Sequence, residues 1–245
     1  MVSLKAASDR RASFERRAQE TNLVWEFFDA HTSLSEDLYY NDRDAIIARG
    51  LPLDRAELGC YSSHFCLWSK LVEDEDYERY LVFEDDIIID WKFMEELVRL
   101  SEQEIGCDLL HLYFLRLPMT RQVRRGFIGR TRKIVELFGN GFGTQAYLIN
   151  KQAARRLVDH LRHVVRPVDN AMECSWLHGI PNMSVFPFPV LEETGPTHIG
   201  DRSIKVSIPT ALRLRGKLFW AVERIKRAKW EFSRRWFARP LRKIS

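Results

Sequence analysis

The stretch Tyr80-Leu81-Val82-Phe83-Glu84-Asp85-Asp86, with Trp91 to Leu100 behind it, decides the fold class. A compact apolar run stops at three adjacent carboxylates, and the following segment repeats its apolar residues at helical spacing. The order is therefore buried strand, acidic turn, helix. Open α/β sheets receive ligands at the carboxyl ends of their strands, which puts these charges where a ligand site is expected. In an extended chain residues two apart share a side, so Glu84 and Asp86 converge while Asp85 faces away. Two converging carboxylates suit a hard divalent ion, Mn²⁺ or Mg²⁺, that completes its shell with water and phosphate. The same residues also fit an acidic helix start in which Asp86 or Asp90 only caps the next helix.

Outward from this turn, Val2 to Leu4 is expected to be a strand, about Arg10 to Thr21 a helix, and Val24 to Phe28 a second strand. Asp54 followed by Glu57 forms the signature of a capping box, and Leu58, Tyr61, Phe65, Trp68 and Val72 then mark one buried helix face. Leu109 to Phe114 and Phe142 to Ile149 read as strands, and Asn150 as the cap of a helix reaching about Leu161. A further helix is expected from Asn170 to His178, and a Pro-punctuated extended segment from Val185 to Leu191. Residues 116 to 133 hold seven basic and no acidic residues, with Pro118, Gly126 and Gly129, and read as a mobile, irregular or hairpin-like loop. Strands alternating with helices define an α/β fold, a mixed sheet flanked by helices.

With 245 residues, 45% of them hydrophobic, the chain suits one large domain or a domain plus an appendage. No apolar run approaches the roughly 20 residues of a membrane-spanning helix. The N-terminal stretch lacks the apolar core of a secretory signal, so a cytoplasmic location is expected. Cys60, Cys66, Cys107 and Cys174 show no CxxC spacing and read as reduced thiols. The net charge of +4 hides an asymmetry: residues 210–245 carry +10 and the remainder −6. Leu218, Phe219, Val222, Ile225, Trp230, Phe232, Trp236 and Phe237 are interleaved with those bases. The chain thus divides into residues 1–209 and a basic amphipathic tail, 210–245, expected to lie on the inner face of the cytoplasmic membrane against anionic lipid. A terminal helix packed on its own domain with a solvated basic back is the alternative. Nucleic acid is not an expected partner, because the bases are attached to no reading motif.

The ordered set VSLKAASDRR, AELGCYSSHFCLW, LVFEDD, GTQAYLINKQAARRL and RPVD resembles glycosyltransferase family 25, the lipooligosaccharide galactosyltransferase group, over about residues 1 to 204. The resemblance implies a Rossmann-like glycosyltransferase A fold. It also implies a metal-dependent inverting transfer of a hexose, most often galactose from UDP-galactose, to a lipid-linked oligosaccharide. The family's acidic motif falls on Glu84, Asp85 and Asp86, with Asp86 the first metal ligand, Glu84 a second, and Glu84 or Asp85 reaching the ribose. Leu4, Arg10 and Arg11 follow the first strand, where this fold receives the nucleotide; either arginine suits a phosphate or plain solvent. His64 is set against the donor by the family pattern, or is a satisfied structural histidine. Thr144, beside Gly143 and Tyr147, faces donor or acceptor. In the polar stretch from Thr194 to Ser203, His198 is a third metal candidate, and Arg202 and Ser203 are phosphate contacts. An inverting transfer needs a base for the acceptor hydroxyl. Asp169, after Arg166-Pro167-Val168, is the first candidate and Glu173, one turn on, the second; Asp169 as a helix cap is the alternative. Outside enzymology, the sequence also fits a membrane-surface or nucleic-acid binding module that works through its tail.

Overall fold

A computed structural model describes residues 1–193 and 208–237. The chain runs β1 (Val2–Ser3), α1 (Ser8–Ala18), β2 (Phe28–Asp29), β3 (Tyr39–Tyr40), α2 (Asp42–Arg49) and α3 (Arg55–Glu73) before the acidic turn. That turn joins β4 (Arg79–Phe83) to β5 (Ile87–Ile89). There follow α4 (Trp91–Arg99), α5 (Glu102–Ile105), β6 (Leu109–His111), β7 (Met119–Arg125), β8 (Lys133–Phe138), β9 (Ala146–Asn150) and α6 (Lys151–His160). The remainder is β10 (His163–Val164), α7 (Val168–Met172), α8 (Ser175–His178), β11 (Met183–Phe186), β12 (Val190–Glu192) and α9 (Thr210–Phe237).

Capping starts the helices where the sequence places it. Asp54 accepts from the Glu57 amide at 2.7 Å while the Glu57 carboxylate accepts from the Asp54 amide at 3.0 Å, closing the box that opens α3. Asn150 accepts from Ala153 to open α6. The central sheet is mixed, in the order β4-β9-β6-β11-β8-β7, with β6 and β11 parallel and the other pairs antiparallel. Alternation along β9 divides the core between its two faces. Tyr147 and Ile149 join Tyr61, Trp68 and Leu71 of α3 and Leu157 of α6, whereas Ala146 and Leu148 join Phe93, Met94 and Leu97 of α4. This is a Rossmann-like mixed sheet between helical layers, as the sequence implied.

Two expected elements change, one alternative is decided and one helix is new. Val24 is fully exposed, and the strand expected from Val24 to Phe28 shrinks to Phe28–Asp29, paired in parallel with β1. Of the two forms read for the basic segment 116–133, the hairpin-like one holds: β7 and β8 form an antiparallel hairpin on the sheet edge. Two of its arginines turn into the fold, Arg121 to Glu136 and Arg124 over the Phe127 ring at 4.5 Å, while Arg116, Arg125 and Arg130 are exposed. The helix expected from Asn170 to His178 breaks into α7 and α8, because Cys174 leaves helical geometry (ψ 58°) and the Glu173 carbonyl turns to accept from Asn182. The short helix α2, opened by Asn41 and closed by Gly50 at φ 87°, was not foreseen.

The terminal helix α9 docks through its polar face. Gly216 lies against the Ile47 carbonyl of α2, where a Cβ would sit only 3.2 Å away. Glu223 is buried, accepting from Arg166 at 3.2 Å and from the Trp176 indole at 3.0 Å. Arg234 donates to Glu136 at 2.7 Å. The opposite face is apolar and in solvent: Leu214, Leu218, Val222, Ile225, Phe232 and Trp236 recur at helical spacing, each 42–72% exposed. Among the described residues no helix is long and apolar enough to cross a membrane.

Candidate active site

The carboxyl end of β4 is held between two neighbours. Val2 forms a parallel bridge to Glu84, and the Glu84 amide donates to the Gln145 carbonyl at 2.8 Å. The chain then bends at Asp85 and Asp86, which breaks the alternation expected of an extended segment. Glu84 turns toward α3 and β9, accepting from the Thr144 hydroxyl and from His64 Nε2 at 3.3 Å. Asp85 turns the other way, accepting from Ser3 Oγ at 2.6 Å and Arg10 Nη1 at 3.0 Å. Asp86 lies between the two and feels the Glu84 charge before that of Asp85. The bend brings its Oδ2 within 3.6 Å of the same Arg10 nitrogen.

A chain of donors orients Glu84. The Trp68 indole donates to Tyr147 Oη at 3.1 Å, so the Tyr147 hydroxyl donates to His64 Nδ1 at 2.8 Å, and His64 carries its proton on Nε2, facing Glu84. Burial pushes the Glu84 carboxyl up, but the hydrogen bonds from His64 and Thr144 outweigh it and hold the group below the ordinary carboxylate value. His64 is fully buried and acts through Glu84. Asp86 is the opposite case. Burial first, then the adjacent charges of Glu84 and Asp85, raise it to about 6, and its Oδ1 is buried with no partner among the described residues.

Arg11 is committed to structure. It donates to the Ser3 carbonyl at 2.7 Å, pairs with Asp29 and lies over the Phe27 ring, while Arg10 turns to Asp85 and Asp86. Leu4 is 37% exposed at the end of β1. Strand β12 pairs with β5, and the Glu193 amide donates to the Asp86 carbonyl at 2.8 Å. His198, Arg202 and Ser203 lie outside the described residues.

Asp169 and Glu173 separate. Asp169 lies in the first turn of α7, where it accepts from the Asn170 amide, and lines an open cleft of about 320 Å³. Glu173 is 4% exposed and accepts from the amides of Gly141 and Phe142 instead of entering that cleft. The approach requires Gly141, whose Cβ would lie 2.1 Å from the Phe114 ring, and it holds Phe142 at φ 57°, a strained value for a bulky residue. Half-buried Cys60 feels the charges of both Glu84 and Asp169, so the acidic turn and the cleft are neighbours. Cys60, His64 and Glu84 each bring a ligand atom within 4.8 Å of the others. Burial raises that thiol well above its ordinary value, which leaves it protonated and a poor ligand for a hard ion.

A fold with a donor-type acidic turn next to an open cleft is shared by many transferases, and sequence comparison separates them. The model of glycosyltransferase family 25 (LPS biosynthesis protein) matches residues 1–172. The chain belongs to glycosyltransferase family 25. Within it, the chain is 29% identical to "Lipooligosaccharide biosynthesis protein lic2B" of Haemophilus influenzae over 66% of its own length and 62% of that protein's. It is 27% identical to human "Procollagen galactosyltransferase 2" over 64% of its length and 26% of that protein's. It is also 30% identical over 126 residues to "Probable inactive glycosyltransferase 25 family member 3" of Rattus norvegicus. The chain thus spans from about a fifth to under two thirds of these relatives. In this family 25 chain the matched segment contains the acidic turn, Asp169 and Thr144, and ends before α8 and α9. Residues that sequence reasoning passed over are Ser3, which shares Asp85 with Arg10, and Cys60. A serine inside a two-residue strand carries no signal of its own until the partner strand is known.

Proposed function

We propose that the chain is a metal-dependent, inverting glycosyltransferase that moves a hexose, galactose from UDP-galactose, onto a lipid-linked oligosaccharide. The observation that carries this reading is the raised Asp86 carboxyl, whose buried Oδ1 has no hydrogen-bond partner among the described residues, in a turn where Glu84 and Asp85 already have theirs. The charges of Glu84 and Asp85 disfavour ionisation of Asp86, and a divalent cation would relieve that repulsion. Asp86, with Glu84 beside it, would hold Mn²⁺ or Mg²⁺, and the ion would neutralise the diphosphate leaving group. Arg10, paired with Asp85 and Asp86, would turn to the phosphates as a cation takes over those carboxylates. Asp169 removes the proton from the acceptor hydroxyl as it attacks the anomeric carbon from the face opposite the nucleotide. Glu173 and His64 are positioning residues: one sets the strap that leads to Thr144, the other sets Glu84.

Thermal unfolding with UDP-galactose, UDP-glucose, UDP-N-acetylglucosamine and GDP-mannose, each with and without Mn²⁺, tests this directly. A rise confined to UDP-galactose with metal is the expected result, since a ligand stabilises only the state that binds it. No rise with any nucleotide in a folded sample would transfer the weight to a binding module.

The outward stripe of α9 supports a cytoplasmic membrane surface as the place of work. Exposed Arg215, Lys217, Arg224, Lys226 and Lys229 accompany it, each worth about 1 kcal/mol near an anionic bilayer. Flotation with phosphatidylglycerol vesicles should recover the chain, and the Leu218→Glu/Ile225→Glu double variant should lose about tenfold or more of that binding. Equal flotation of the two proteins would remove the stripe from the interface.

A further inference from the structure

The cleft lined by Asp169 has one wall that the family-matched segment does not supply. Arg49, Arg116, Phe142, Asp169 and Asn170 all fall within residues 1–172, but Trp220 comes from α9. Helical geometry puts position 220 about 200° round from both Leu218 and Val222, so Trp220 points away from the lipid-type stripe and into the cleft. Its indole is half exposed, in contrast to Trp68, which is fully buried in the core.

The rest of the lining fits one ligand chemistry. Arg49 is paired with Glu57 at 2.7 Å and Arg166 with Glu223, so the cleft is not a simple anion trap. Phe142 with the Arg116 guanidinium at 5.7 Å provides a second flat wall. Aromatic plates with planar polar side chains at their edges suit a sugar ring, whose C–H face stacks on the aromatic while its hydroxyls bond to carboxylate, amide and guanidinium. The volume of about 320 Å³ falls at the lower end for small-molecule sites.

We infer that this cleft is the saccharide acceptor site and that Trp220 is its stacking platform, so that one helix faces lipid on one side and glycan on the other. The assignment of the bound sugar as acceptor rests on the transferase reading above; the presence of a saccharide site does not.

The full chain labelled with 5-fluorotryptophan separates the two. Its ¹⁹F lines are titrated with galactose, glucose, N-acetylglucosamine, L-glycero-D-manno-heptose and lactose, then with UDP-galactose and Mn²⁺, and Trp220→Phe assigns its line. Saturable movement of the Trp220 line with sugar, while Trp236 stays still, is expected. UDP-galactose should instead move Trp91, which packs on Phe83 at the acidic turn. In turnover, Trp220→Ala should raise the acceptor KM about tenfold with kcat nearly kept, and Trp220→Tyr should restore most of the loss. A Trp220 line that no sugar moves, beside a Trp91 line that UDP-galactose does move, overturns the cleft assignment and leaves the transferase standing. The reverse pattern keeps the saccharide site and overturns the transferase.

Discussion

Replacing Asp86 by alanine is expected to abolish transfer, a loss on the order of 10³-fold or more in kcat/KM, in a protein whose fold is intact. The stability effect has the opposite sign. Asp86 is held at about 6 by burial and by Glu84 and Asp85, so the folded state binds its proton more tightly than the unfolded chain does. As pH rises from the unfolded value of 3.8 to about 6, the native state loses up to about 3 kcal/mol from this group alone. At pH 8 without metal, Asp86→Asn should therefore melt higher than the natural chain. Added Mn²⁺ should narrow or reverse that gap by stabilising only the protein that keeps the carboxylate. Differential scanning calorimetry at pH 8 with and without Mn²⁺, beside a coupled assay for nucleotide release, measures both signs. A variant that melts lower and still turns over normally would remove Asp86 from the metal site.

Glu173 carries the second large effect. Burial, and then the charge of Asp169, lifts its carboxyl to about 8 despite the amides of Phe142 and Gly141, so at neutral pH it is largely the neutral acid. Folded and unfolded states then differ by one proton between about pH 4.5 and 8, and stability falls by roughly 1.4 kcal/mol for each unit that pH rises through that window. Glutamine keeps the accepting oxygen and cannot ionise, so Glu173→Gln should flatten this slope and overtake the natural chain in stability near pH 8. Glu173→Ala leaves two buried amides without a partner and should cost about 2 to 4 kcal/mol at every pH. Urea unfolding of the three proteins at pH 5, 6, 7 and 8 reads the slopes. Parallel curves for natural and Gln proteins would show that the carboxyl is not protonated in the native state.

How far the sequence revealed this molecule depends on whether a residue's partner is close in the chain. The capping box of Asp54 and Glu57 and the run into Glu84 are local patterns, and both appear where expected. The hairpin of segment 116–133 was among the forms read, but not where Arg121 and Arg124 point. Their partners, Glu136 and the Phe127 and Phe138 rings, become visible only once β7 pairs with β8. The acidic turn was located correctly and Glu84 and Asp85 point apart as read, but the Arg10 that Asp85 and Asp86 share was not legible, because alternation holds only while the chain stays extended and it bends at Asp85. Glu173 stays one turn from Asp169, its amide bonded to the Asp169 carbonyl at 3.3 Å, but its side chain turns to the Gly141 and Phe142 amides and not to the cleft. The tail was legible as amphipathic, yet the sequence set docking and membrane contact against each other. The helix does the first with Glu223 and Arg234 while its apolar stripe remains outside.

Glu136 is 2% exposed and is shared by Arg121 of the sheet-edge hairpin and Arg234 of α9. A carboxylate buried between two guanidiniums tolerates the loss of one badly, because its charge is then stranded out of water. Trimming α9 to obtain a more soluble protein would therefore damage the sheet it covers. Solubility is better sought by recolouring the outer stripe with polar residues, leaving the inner face untouched, so that the body keeps its clasp while its exposed apolar surface is removed.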